Sequence, residues 1–162
     1  MANGGPEVYV QDLLAQHQRV DAMLREAWSA IVQSRGPDAD ASGADVAIVL
    51  RRVRDELAHH FAEEEAGGCL EEAVTKCPRF SAEALRIESE HAQLLGGIES
   101  LIHQVATGFE GTAQRHALEI DFGDFCRRVQ VHEAAENELL RQAFGAAIDV
   151  ENFVSRIREP DF

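Results

Sequence analysis

The chain has 162 residues, 45% of them hydrophobic, and a formal net charge of −14 with Lys76 as its only lysine. That length allows one domain with a substantial core and is short for two. The acidic balance disfavours nucleic acid and acidic membrane surfaces as partners, since few cations are available to displace phosphate counterions; it suits a protein that keeps cations nearby.

Four prolines, one tyrosine and long periodic segments predict an all-α domain. The start, Met1-Ala2-Asn3-Gly4-Gly5-Pro6, lacks a charged region followed by an apolar one, and no run approaches membrane-span length, so a cytoplasmic protein is expected. Cys69, Cys77 and Cys126 form neither an even disulfide set nor a CxxC pair and read as reduced, semi-buried thiols.

From about Glu7 to Ser34, the residues Val10, Leu13, Leu14, His17, Val20, Leu24, Trp28 and Ile31 follow helical spacing, and Arg35-Gly36-Pro37 ends the run. His17 stands near the middle of that apolar stripe. Gly36 to Gly43 is a loop by composition. A second helix starts near Ala44 or Asp45 and carries Val46, Leu50, Val53, Leu57 and Phe61 until Gly67-Gly68. It offers two pairs at the same spacing, His59 with Glu63 and His60 with Glu64. At about 100° per residue, His60 and Glu64 fall within the apolar stripe and His59 points roughly 140° away. The first pair, with Glu65, is therefore assigned to a solvated face.

Gly68 to Ser81 has weak helical patterning, closed by Cys77-Pro78. Ser81 is a candidate cap for a third helix, with Glu83 in its first turn and Ala84, Leu85, His91, Leu94, Leu95, Ile98, Ile102 and Val105 marking its apolar side. Glu88 and Glu90 read as surface charge. Gly108 to Gly111 breaks the pattern. A fourth helix runs from about Ala113 to Ala147, with Phe122, Phe125, Val129, His132, Glu136 and Leu140 in one stripe. The bundle therefore spans about residues 7–147 of a single domain over 1–162, and the tail from 148 to 162 adds at most a turn or two through Phe153, Val154 and Ile157.

A weak internal repeat links the halves. His17, His60 and Glu64 recur as His91, His132 and Glu136 after about 72 to 74 residues, as though each half were one helical hairpin. Two such hairpins make an antiparallel up-down-up-down four-helix bundle. At about 1.5 Å per residue, His17 and His60 both lie roughly 23 to 26 Å from the loop joining their helices, and His91 and His132 agree similarly. Four inward imidazoles and two inward carboxylates at one depth match the needs of a dinuclear first-row metal site. Each ion would take two histidines, Glu64 and Glu136 would bridge, and a solvent-derived oxo or hydroxo group could complete the bridge and leave an open position. Satisfied core histidines explain any one of these residues, but a polar layer at matching depth on four helices asks for a common partner. Asp21, four residues after His17, is a candidate to orient that ring or another ligand, or else a helix-boundary acid reaching solvent. His59, His103 and His116 are expected at the surface.

The ordered set, His17 in Gln16-His17-Gln18-Arg19-Val20, His60-Phe61-Ala62-Glu63-Glu64, Glu90-His91, and His132 with Glu136, resembles the hemerythrin-like HHE cation-binding family over about Val8 to Phe144. The resemblance implies a non-haem centre of two iron ions that meets oxygen, nitric oxide or peroxide. Oxygen-carrying hemerythrins typically have a further histidine and an aspartate where this chain has Leu95 and Asn137. The four-histidine, two-glutamate set is similar to iron-centre repair and nitric-oxide-responsive proteins, and to hemerythrin-like proteins linked with peroxide decomposition. With the first helix expected from about Glu7, no cysteine-bearing N-terminal domain of the kind frequent in the repair proteins is expected. The expected functions are thus small-ligand binding for sensing or storage, catalase-like turnover, or iron donation. Ligand type alone does not choose iron over zinc or manganese.

Overall fold

The computed structural model describes residues 6–34, 43–66, 68–107 and 111–145. The expected loop from 36 to 42, the last residues of the predicted fourth helix and the tail from 148 to 162 lie outside them. The described residues are helical almost throughout. In chain order the helices are α1 (Pro6–Gln33), α2 (Gly43–Glu65), the short α3 (Cys69–Lys76), α4 (Ser81–Ala106) and α5 (Thr112–Phe144), with a single 3₁₀ turn at Pro78–Phe80 before α4. None of them is long and apolar enough to cross a membrane.

The boundaries follow from local chemistry. Pro6 at the head of α1 lacks only an N–H that the first turn leaves unpaired in any case. Gly145 takes φ +70°, a left-handed conformation suited to glycine, and ends α5 with its N–H on the Arg141 carbonyl. The weakly patterned segment after α2 contains one real helix, α3, whose Cys69, Leu70 and Ala73 are buried. Gly68 makes the sharp link from α2: its N–H bonds the Glu64 carbonyl at 3.0 Å, and a Cβ there would stand 2.9 Å from the Glu64 Cα.

The four long helices form a closed ring, α1 on α2, α2 on α4, α4 on α5 and α5 on α1, while α3 packs mainly across α5. Side-chain partners give the sense of each pair. Between α1 and α2, Arg19 meets Glu56 at 3.0 Å and Glu26 meets Arg52 at 2.7 Å. Between α2 and α4, Arg54 meets Glu99 at 2.9 Å and Glu64 meets His91 at 3.3 Å. Between α4 and α5, Glu90 meets His132 and Gln104 meets Asp121, each at 3.1 Å. Between α1 and α5, His17 meets Glu136 at 3.1 Å and the Ser34 carbonyl accepts from Arg115. In all four pairs the residue numbers rise on one helix as they fall on the other.

The interior consists of two apolar clusters. The larger runs from Val20 and Leu24 on α1 through Leu50, Leu57 and Phe61 on α2 and Leu94 and Ile98 on α4 to Phe122 and Val129 on α5. The smaller gathers Val10, Leu13, Cys69, Leu70, Ile87, Leu139 and Leu140, with α3 closing that end. One residue of the predicted stripes fails. Leu85 is 66% exposed, and its place is taken by the fully buried Ile87. The period explains this, since Ile87 lies four residues before His91 and shares its face, whereas Leu85, six before, is turned by about 120°.

Candidate metal centre

Between the two apolar clusters lies a polar layer. On α1, His17 separates Leu13 from Val20; on α4, His91 separates Ile87 from Leu94; on α5, His132 and Glu136 stand between Val129 and Leu140. His60 and Glu64 occupy the same level at the end of α2. All six predicted residues are buried, none more than 4% exposed.

Their ligand atoms converge in two overlapping sets, His17, His60, Glu64 and Glu136, and Glu64, His91, His132 and Glu136. Within each set these atoms lie within 4.8 Å of one another, and both carboxylates belong to both sets. Glu136 stands 3.1 Å from His17 Nε2, 2.9 Å from His132 Nε2 and 3.9 Å from His91 Nε2. Glu64 stands 3.7 Å from His60 Nε2 and 3.3 Å from His91 Nε2. None of these approaches is an aligned hydrogen bond: all four Nε2 atoms and all four carboxylate oxygens are buried without one. Eight orphaned polar atoms aimed at one small space are costly in a plain core. They are what a cation site requires, and the cluster is compatible with one.

The far sides of the rings fit the same purpose. Nδ1 of His60 faces Gln16 Oε1 at 2.6 Å, Nδ1 of His91 faces Glu65 Oε1 at 2.9 Å, and Nδ1 of His132 faces Glu90 Oε2 at 3.1 Å. Each acceptor holds a proton on Nδ1, so that Nε2 is the nitrogen turned into the cluster. Phe61 packs against all three of these rings, stacking on His91 at 4.1 Å between centroids, tilted on His60 at 5.3 Å and edge-on to His132 at 5.4 Å.

The protein without metal distributes charge unevenly here. Burial and the neighbouring His17 push the His60 imidazole down to about 3, so it is neutral. Burial also opposes charge on His91, but the carboxylates of Glu136, Glu64 and Glu65 outweigh it and hold that ring up at about 10. For His132 too the lowering by burial is exceeded, chiefly by Glu136, and the ring is raised. Burial lifts Glu64 to about 8. Glu136 stays well below the usual carboxylate range despite complete burial, because His132, His17 and His91 surround it.

Three sequence expectations change. Asp21 does not orient His17: its carboxylate pairs with Arg25 at 3.2 Å, one turn along its own helix, and His17 Nδ1 has no hydrogen-bond partner. Glu65 and Glu90, read as solvated charge, bond ligand-type histidines from the rim. Glu65 is 56% exposed and still reaches His91. Glu90 also lines a surface hollow of about 300 Å³ between α4 and α5, which gives buried His132 a hydrogen-bonded path to the surface. Gln16 and Glu133 carried no expectation at all. Glu133 is buried, and desolvation with the nearby charges of Asp21, Glu136 and Glu64 holds its carboxyl well above the usual range. His59, His103 and His116 are exposed as expected, with His59 3.3 Å from Glu63. The cysteines are unpaired, and burial pushes the thiols of Cys69 and Cys126 up to about 12, so neither offers a thiolate.

No protein-family profile, curated protein or solved structure matches this chain.

Proposed function

We propose that the chain is a cytoplasmic non-haem diiron protein, an up-down-up-down bundle of the hemerythrin-like kind. His17 and His60 would hold one ion, His91 and His132 the other, and Glu64 and Glu136 would bridge them. The exogenous ligand would be oxygen or a related small molecule, nitric oxide or peroxide, bound for sensing or storage. The observation that carries the metal assignment is the set of orphaned Nε2 and carboxylate atoms inside the layer, with three of the four Nδ1 atoms occupied outside it. The choice of iron rests on the donor set of imidazole and carboxylate together with the resemblance of the ordered motifs.

Two first-row ions here would supply redox chemistry and an open position for a small ligand. The chain's own residues do the rest. The two apolar clusters keep bulk water from the layer, and Gln16, Glu65 and Glu90 hold three imidazoles in the required tautomer. A second reading, catalase-like peroxide decomposition, draws support from Glu133, a buried carboxyl next in the chain to His132 whose hold on its proton is strengthened by burial.

Ligand addition to the iron-loaded, reduced protein separates the readings. Binding for sensing or storage predicts a spectral change that reverses when the gas is removed, with no steady consumption of peroxide. Sustained peroxide turnover, lost in His132→Ala, would overturn that reading in favour of the enzyme. Retention of zinc or manganese and no iron would overturn both.

A further inference from the structure

The two sets of candidate ligands share Glu64 and Glu136 but differ in what stands behind their histidines. Behind His91 and His132 stand carboxylates, Glu65 at 2.9 Å and Glu90 at 3.1 Å. Behind His60 stands the neutral amide oxygen of Gln16 at 2.6 Å, and behind His17 Nδ1 no hydrogen-bond partner among the described residues. A carboxylate on Nδ1 fixes the ring and also draws on its proton, which makes Nε2 a stronger donor to a cation. An amide fixes the ring and does little of the second.

We infer that the two metal positions are inequivalent: the His91/His132 position fills first and holds its ion more tightly, and the His17/His60 position is the exchangeable one. Glu65, Glu90 and Gln16 are the positioning residues that set this order. The inference rests on the two-metal reading above. Two contacts moderate the contrast without reversing it. Arg86 pairs with the other oxygen of Glu90, and the Gln16 amide donates to Glu63, which lends His60 a little of a carboxylate's pull at one remove. The unpartnered His17 keeps the order. A centre built this way exchanges or gives up one ion while the other keeps the bundle closed, so it passes through a one-metal state as iron supply falls.

The test is a titration of the metal-free full chain with ferrous iron under argon, against a competing chromogenic chelator. Two steps are expected, the first at least about tenfold tighter than the second. Glu65→Gln and Glu90→Gln each weaken the first step by about 10- to 100-fold, the usual effect of losing such a partner, and bring the two steps together. Gln16→Ala weakens the second step and widens the gap. Glu65 and Glu90 stand at the rim, so their amide variants keep the fold. Two equal steps in the unaltered chain would overturn the inequivalence and leave the two-metal reading standing. So would loss confined to the weaker step in the glutamate variants. A chain that takes up no ferrous iron would overturn the two-metal reading and the inequivalence with it.

Discussion

At the residue scale, Glu64 and Glu136 do different work from the rest of the core. Glu136 is fully buried beside three imidazoles and Glu64 beside two, so each carboxylate belongs to both candidate sites. Glu64→Ala or Glu136→Ala should therefore remove at least one ion per chain, as read by elemental analysis, and two ions retained in both variants would refute the bridging role. Protons make a second prediction. Without metal, His91 holds its proton up to about pH 10 and Glu64 up to about pH 8. Both must shed it to serve as ligands, so loading near pH 7 releases protons and affinity climbs as pH rises toward those values. Calorimetric titrations in buffers of different ionisation enthalpy will read that release; heats independent of buffer would contradict it. The six inward residues were legible in the sequence because each sits on the apolar face of its own helix, which the 3.6-residue period reports. Glu65 and Glu90 were not, because each is one residue off that face. Their bonds to His91 and His132 cross between helices, and a single helix's period carries no information about its neighbour's rim.

At the element scale, the site depends on how α2 ends. Glu64 lies in its last turn, and the chain leaves through Gly68, whose N–H bonds the Glu64 carbonyl. A Cβ at this position would press on the Glu64 backbone at 2.9 Å, with no flexible side-chain tip able to yield. Gly68→Ala should cost about 1–3 kcal/mol, the range for overpacking, and displace Glu64, so thermal unfolding and metal retention should fall together. Full metal content in a merely destabilised variant would show that the turn does not position the carboxylate. The four long helices were readable from periodicity and from the glycines that interrupt it. The short α3 was not, because eight residues give too little pattern to separate a helix from a turn. Leu85 and Ile87 show the same limit inside a longer helix, since both are apolar and only the angle to His91 separates them.

At the scale of the whole molecule, two apolar clusters flank one polar layer, and the layer is the weak plane of the protein when no cation fills it. Each cluster has its own buried contacts, so the metal-free chain should remain helical while losing stability. A hundredfold excess of free ion over Kd is worth about 2.7 kcal/mol, which for a chain of this size raises Tm by roughly 5–10 °C. Circular dichroism melts before and after treatment with a chelator will read the difference, and identical melts would mean that the layer is satisfied without metal. Acid acts in the same direction, because protonating the histidines and carboxylates takes away the donors. The most direct measurement of the central claim is elemental analysis of the aerobically purified protein, taken together with its near-ultraviolet and visible spectrum. The account predicts two iron ions per chain and the charge-transfer absorption of a bridged ferric pair. A chain purified without bound metal, and taking up none when iron is supplied, would contradict it.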